Sequence, residues 1–208
     1  MDISRMSFRD LADHYLLVKN IDAKTMMTIK ASGFPIEQSC NAMLVYGYID
    51  HVAGLSFELL CAARVMENTE VVLEQTNMTT AMKFRFGAFK GDVTIFDYDR
   101  RVDEYSNRVY DFEKYYGVND EVRALRDVTE LDESRAPGYP DDYLVIFLLE
   151  GRQNEGIWCR AEGLEVDNYI LIGRMLNEPN ADIGIHGGDL IKAKMVPIDG
   201  TIRLVAEL

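Results

Sequence analysis

The chain has 208 residues, of which 48% are apolar and 10% aromatic, so it can bury the core of one large domain or two small ones. Its formal net charge of −13 disfavours binding to nucleic acid or to an anionic membrane surface, because both carry negative charge. The same charge suits a basic protein partner, although an acidic surface also serves simply to keep a protein soluble.

The first third of the chain is predicted to be helical. Apolar residues in 4–20 follow the i, i+3, i+4, i+7 spacing of one helix face, and His14 lies near that face. A short helix is expected to begin after Pro35, and Asp50 is the expected N-cap of a longer one. The three predicted helices cover 4–20, 36–46 and 50–66.

The pattern changes after residue 70. Short alternating or β-branched segments predict a small β meander at 70–75, 82–86 and 93–96. Helical spacing returns over 101–116, with Gly117 as its C-terminal cap. Residues 118–142 are polar, and the segment 137–142 contains two prolines and a glycine. These patterns predict an α+β N-terminal domain over 1–136 and a linker over 137–142.

The pattern of apolar and turn residues over 143–208 predicts a β-rich C-terminal domain. The run 143–149 is apolar throughout, as in a strand that is buried on both faces. Further strand candidates, separated by turn residues, follow at 157–161, 169–176, 191–195 and 202–206. Short strands spaced in this way predict a small, strongly bent antiparallel sheet or a partial barrel. The whole chain is therefore predicted to be α+β, with a helical N-terminal part and one small C-terminal sheet.

One turn of this domain concentrates residues capable of chemistry: Asn177, Glu178, Asp182, His186 and Asp189. Carboxylates with a histidine can ligate a divalent metal or carry out acid–base catalysis. All five residues lie between two predicted strands, where Asp and Asn side chains usually bond their own backbone. We therefore expect a structural turn, and a small-ligand or metal-binding regulatory module at 177–189 is the alternative.

Three further residues are candidates for contact with a partner. Trp158, the only tryptophan, is expected to point away from the buried face of its strand. It is then either covered by the N-terminal helices or free to anchor a partner. Asp141 and Asp142 precede the apolar strand, where they act either as solubilising ends or as an acidic rim around a docking surface.

The other reactive residue types point to packing. His14 and His51 have no ligand neighbours at suitable spacing, and we expect both to be partly buried packing residues. Cys40, Cys61 and Cys159 are widely spaced, which is typical of buried thiols in a reducing cytosol. The chain lacks a signal-peptide pattern and any apolar run of roughly 20 residues, so a cytoplasmic location is predicted.

Three motifs follow one another in the C-terminal domain: Glu155-Gly156-Ile157-Trp158, Leu176-Asn177-Glu178-Pro179 and Gly187-Gly188-Asp189-Leu190. Their order resembles a family of small bacterial domains of unknown function that is grouped with immunity proteins of bacterial polymorphic toxin systems. In this resemblance Trp158 matches a strand tryptophan, Asn177 and Pro179 match a turn, and Gly188-Asp189 matches a closing pair. The resemblance implies a domain that binds a toxin and has no catalytic residues.

The sequence thus predicts a non-enzymatic cytosolic interaction protein without a cofactor. The resemblance extends this prediction to an immunity-type inhibitor that binds a basic toxin through an acidic surface. An enzyme or metal-dependent module using Asp182, His186 and Asp189 is a second hypothesis. A regulatory domain with a ligand pocket between the helices and the β module is a third.

Overall fold

The computed structural model describes residues 6–67, 70–74, 80–89, 93–98 and 103–207. Strands account for 42% of the structure and helices for 24%. None of the helices in these ranges is long and apolar enough to cross a bilayer. The chain forms two compact units, Met1–Gly117 and Val118–Leu208, each built on its own sheet. The predicted fold, with a helical N-terminal part and a single small sheet, is therefore wrong.

The first unit is an antiparallel six-stranded sheet with two helices. In chain order its elements are β1 (Tyr15–Lys19), α1 (Ala23–Ala31), β2 (Ala42–Asp50), β3 (Gly54–Val65), β4 (Val71–Leu73), β5 (Lys83–Arg85), β6 (Thr94–Asp97) and α2 (Ser106–Tyr116). The strands lie in the order β4–β3–β2–β1–β6, and β5 also pairs with β3. A short 3-10 helix, Phe8–Asp10, precedes β1 and is capped by Ser7.

The hairpin of β2 and β3 lies in the middle of the sheet, and apolar side chains cover both of its faces. Val45 and Phe57 belong to a core that also includes a residue of α1. On the other face, Tyr46 and Tyr48 stack on Phe112 of α2, with ring centroids 5.7 and 4.7 Å apart. Stacked aromatic pairs of this kind add packing energy beyond their buried area, so α2 is held firmly against the sheet.

The helices predicted over 4–20, 36–46 and 50–66 are all wrong, and one reason explains all three. A strand that is buried on both faces carries apolar residues at almost every position, so it also satisfies the spacing of an amphipathic helix. The three central residues of β1, for example, are all buried. Conversely, the spacing does not predict α1, since Ile29 is the one buried residue of that helix.

The three short strands of the first unit do not form the predicted meander. β4 and β5 both pair with β3, whereas β6 pairs with β1 on the opposite side of the hairpin. Residues 4, 5, 75, 90–92, 101 and 102 lie outside the described residues. The predicted helix is confirmed for α2, but Gly117 after it has an extended backbone with φ −63° and not a left-handed one.

Over residues 118–207 the second unit contains one α-helix and six strands, together with 3-10 helices at Thr129–Ser134 and Val166–Asn168. Its elements are α3 (Asp120–Asp127), β7 (Arg135–Ala136), β8 (Tyr139–Phe147), β9 (Glu155–Glu165), β10 (Ile170–Met175), β11 (Leu190–Ile198) and β12 (Thr201–Glu207). The predicted strands of the C-terminal domain all overlap β8 to β12. The buried face of α3 packs on the same core as these strands.

Strands β8 to β12 form a closed barrel. Each strand pairs antiparallel with the next, so directions alternate and the first and fifth strands run the same way. Their closing pairing is accordingly parallel, with Val145 beside Leu204 and Ile146 beside Val205. Closure pairs edges that an open sheet would leave exposed. The predicted bent sheet or partial barrel is thus a complete five-stranded barrel.

The predicted linker over 137–142 is part of this second unit. Pro137 and Gly138 form the tight turn between β7 and β8, and Gly138 has the positive φ (+78°) that a Pro-Gly turn requires. Residues 139–142 then begin β8. The chain divides into its two units after Gly117, so the polar segment that follows belongs with the barrel.

Candidate functional site

Asp141 and Asp142, predicted to be either solubilising strand ends or an acidic rim, are buried at the start of β8. They are 7% and 6% exposed. Asp141 makes a bidentate ion pair with Arg126 of α3, with both bonds at 2.8 Å. Asp142 makes another with Arg160 of β9, at 2.7 and 2.9 Å, and this bond is the main cause of the raised pKa of Arg160. Both carboxylates therefore hold the barrel together and do not form an acidic rim.

Arg135 is a buried structural cation that the sequence does not reveal. Its side chain is 5% exposed, and its guanidinium lies 4.6 Å from the centroid of the Tyr143 ring. The guanidinium donates hydrogen bonds to the Asp132 carboxylate, the Tyr143 hydroxyl and the backbone carbonyls of Leu125, Val128 and Pro140. Two of these carbonyls lie at the end of α3, so Arg135 satisfies acceptors that the helix leaves open. Burial raises the pKa of Tyr143 to about 12.

The polar residues predicted to share one turn do lie together, in the loop of residues 177–189 between β10 and β11, which we call the acidic turn. Oε1 of Glu178 lies 2.6 Å from Nδ1 of His186, and its Oε2 accepts the Gly187 N–H at 2.8 Å. Asp189 accepts the His186 N–H, also at 2.8 Å. The Glu178–His186 bond is the main reason that the pKa of Glu178 is lowered and that of His186 raised.

Two more of the predicted site residues, Asp182 and Asn177, also bond to backbone. Asp182 accepts the N–H of Gly184 at 3.3 Å, and Asn177 accepts the N–H of Trp158 at 2.9 Å. Within the described ranges, no group of three or more His, Cys, Asp or Glu side chains is placed to hold a metal ion. The side chains of the acidic turn therefore shape its backbone, as Asp and Asn commonly do in turns.

The acidic turn is also anchored to the barrel. The Glu155 carboxylate accepts the N–H groups of Asn180 and Ala181, both at 2.8 Å. Ile183 and Ile185 pack against the barrel core. With its apolar residues on the core, the turn keeps its carboxylates in fixed, exposed positions.

Trp158 lies half-buried on the outer surface of the barrel, next to the acidic turn. Leu144 is its direct partner across β8 and β9, and the N–H of Leu176 donates to the Trp158 carbonyl at 2.8 Å. The inward-facing neighbours along these strands are buried in the core, so these three side chains point outwards. Leu176 is 43% exposed. We call the outward row of Leu144, Ile146, Trp158 and Leu176 the Trp158 face.

None of the three cysteine thiols has an environment that would activate it as a nucleophile. Burial raises the pKa of Cys61 to about 11 and that of Cys159 to about 12. Desolvation also raises the pKa of Cys40. A thiol with a raised pKa is a poor nucleophile at neutral pH. Cys61 and Cys159 are buried as predicted, whereas Cys40 is only half-buried.

A buried polar cluster that the sequence does not reveal lies between the first sheet and α2. Glu58 of β3 is 2% exposed, and its Oε1 accepts a hydrogen bond from Nη2 of Arg108 at 3.1 Å. At the border of this cluster, the exposed Lys83 lies beside Glu58 on β5 and donates to the Tyr116 hydroxyl at 3.0 Å. Desolvation is the main cause of the raised pKa of Glu58. Breaking one side of such a buried pair costs far more than the intact pair contributes.

His14 and His51 are both partly buried, as expected, but His14 is not on a helix. It precedes β1, and its Nδ1 lies 3.8 Å from Oδ1 of Asp97 at the end of β6. The pairing of β1 with β6 produces this contact, which spacing along the chain cannot indicate. His51 lies in the turn between β2 and β3, with its ring 6.1 Å from that of Tyr116.

Comparison with known proteins gives no relative from which a function can be transferred. No family model, no curated protein and no solved structure matches the chain. The resemblance of residues 143–208 to immunity-type domains therefore stays a prediction.

Proposed function

We propose that this protein is a non-enzymatic interaction protein, an immunity-type inhibitor that binds a basic protein through the Trp158 face and the acidic turn. The observation that supports this most directly is their continuity, since the Trp158 backbone is hydrogen-bonded to both Leu176 and Asn177. An apolar centre with a polar, charged border is the usual anatomy of a protein interface.

Trp158 and Leu176 supply the apolar centre. Tryptophan is among the residues that most often dominate binding energy, because its large flat side chain fills a pocket on the partner at low entropic cost. The backbone under both residues is fixed in the barrel by the bonds described above. Binding therefore requires little ordering of this surface, which favours affinity.

The acidic turn supplies charge of the sign that a basic partner needs. The Glu178 side chain is 62% exposed, and Asp182 and Asp189 are exposed as well. The net charge of −13 extends the attraction beyond the contact itself and speeds the encounter with a basic protein. The immunity-type resemblance makes a toxin the partner that we favour.

The proposal can be tested with the full chain and the purified products of the genes that flank its own. We expect one basic product to bind, as measured by isothermal titration calorimetry. Trp158→Ala should weaken this binding about 30-fold, which corresponds to the roughly 2 kcal/mol of an interface hot spot. Asp182→Lys should slow association and reduce its dependence on salt.

Tyr169→Asn is the matched control. Tyr169 is an exposed aromatic residue (64%) at the other end of the β9–β10 hairpin, and its φ of +53° is one that Asn tolerates. Its binding constant should stay within about threefold of the original, because rim and remote contacts contribute little. Circular dichroism checks that each variant is folded. The proposal is wrong if no basic product binds, or if Trp158→Ala weakens binding no more than this control.

A further inference from the structure

An open cleft of about 450 Å³ lies in the first unit, beside the 3-10 helix Phe8–Asp10 and the end of β6. Its volume falls within the roughly 300–1,000 Å³ that is typical of small-molecule sites. The cleft does not involve the Trp158 face or the acidic turn, so it is independent of the proposed function.

One part of the cleft wall is apolar. Ile95 of β6 is 1% exposed and forms part of the core behind the cleft. The Phe96 ring lies on the other face of β6, beneath the Lys19 ammonium at 5.9 Å, whereas half-buried Met6 packs on the same core as Ile95 and lines the cleft. The Met6 side chain offers a surface for the hydrocarbon or aromatic body of a ligand.

The polar part of the wall has one pair of groups placed to receive a ligand. Nδ1 of His14 and Oδ1 of Asp97 are 3.8 Å apart, too far for a hydrogen bond between them. A third atom can nevertheless lie about 2.9 Å from both, which is a normal hydrogen-bond length. By contrast, Asp10 already accepts the Ser7 N–H at 2.8 Å as part of a helix cap.

The chemistry of this pair selects the ligand. A carboxylate accepts hydrogen bonds, and so does one nitrogen of a neutral imidazole, so a group that donates two bonds fits between them. An ammonium group does this and also carries the charge that Asp97 attracts. Two carboxylates, Asp10 and Asp97, line the cleft against one guanidinium, Arg9, in a chain of net charge −13. A carboxylate or phosphate ligand would be repelled.

We propose that this cleft binds a small primary amine, with its ammonium group between His14 and Asp97 and its apolar or aromatic body against Met6. Three probes of equal length test this with the full chain: 2-phenylethylamine, 2-phenylethanol and phenylacetate. We expect saturable binding of the amine in calorimetry. The alcohol and the acid should bind at least about tenfold more weakly, because each lacks the charge-assisted bond to Asp97.

Two substitutions locate the site. Asp97→Asn and His14→Leu should each weaken amine binding about tenfold, the loss expected for one hydrogen bond to a charged group. Asp111→Asn, at an exposed position on α2, is the control and should leave the affinity unchanged. Circular dichroism shows whether each variant is folded, and the His14 imidazole signals in NMR show whether the site is intact in Asp97→Asn and Asp111→Asn. The inference is overturned if the three probes bind alike, if the amine does not saturate by about 10 mM, or if Asp97→Asn binds it as the original chain does.

Discussion

Asp141→Asn is expected to lower the free energy of unfolding of the barrel unit by about 3 kcal/mol. The substitution removes the negative charge from a bidentate pair whose two bonds to Arg126 are both 2.8 Å long. The side chains are only 9% and 12% exposed, so water cannot replace the lost interaction. Breaking one side of a buried ion pair costs about 3–5 kcal/mol, and the Asn oxygen retains one acceptor, which places the loss at the lower end.

The assay is urea denaturation followed by tryptophan fluorescence. Trp158 is the only tryptophan and lies on β9, so its signal reports the unfolding of the barrel. Asp167→Asn provides a control in the same unit, at an exposed position between β9 and β10, and should change stability by less than about 0.5 kcal/mol. Replacing Asp141 and Arg126 together by leucine should recover most of the loss, because neither charge is then left unpaired.

The reasoning is refuted if Asp141→Asn unfolds within about 0.5 kcal/mol of the original chain. That result would mean that the carboxylate does not hold α3 to β8. It would also reopen the interpretation of Asp141 as a contact for a partner. A double leucine variant of Asp141 and Arg126 that is less stable than Asp141→Asn would show instead that the pair acts through packing and not through charge.

Three further predictions test other parts of the structure. Gly47→Ala would place a Cβ 1.9 Å from a backbone carbonyl oxygen, so we expect a loss of about 3 kcal/mol in thermal or urea unfolding; an unchanged midpoint would contradict the close approach. Arg108→Leu leaves the buried Glu58 carboxylate without its ion-pair partner and should lower the free energy of unfolding by about 3–5 kcal/mol, measured in the same way. Replacing both Arg108 and Glu58 by leucine should recover most of this loss. The Glu178–His186 pair should stabilise the acidic turn most between the ordinary pKa values of the two groups, 4.5 and 6.5. Its contribution is lost at higher pH, as His186 deprotonates through its raised pKa, and at lower pH, as Glu178 takes up a proton through its lowered pKa. Amide hydrogen exchange in the turn, corrected for its intrinsic pH dependence, should show this maximum, and Glu178→Gln should abolish it.

The strands of the barrel could be predicted from the sequence, whereas those of the first sheet could not. In β9, buried Ile157 and Cys159 alternate with less buried residues, and this period of two is specific to a strand. β2 and β3 have core on both faces, so they show no alternation, and their length resembles that of a helix. Closure of the barrel depends on the contact between β8 and β12, which no local pattern contains.

The candidate sites divide in the same way. The contacts within the acidic turn are local, so its character as a structural turn could be predicted from residue types and spacing. The burial of Asp141 depends on Arg126, which lies in α3, and the role of His14 depends on Asp97, which arrives through strand pairing. Charged residues that meet across elements look like surface residues until the fold is known.

The parallel pairing of β12 with β8 makes the last seven-residue strand disproportionately important. Its loss, as from a premature stop codon, would remove the pairings of β12 with both β11 and β8. The barrel would open, and β11 and part of β8 would have unpaired hydrogen-bonding edges. Such edges recruit strands from other molecules. A shortened product should therefore accumulate as aggregate rather than as a smaller working protein.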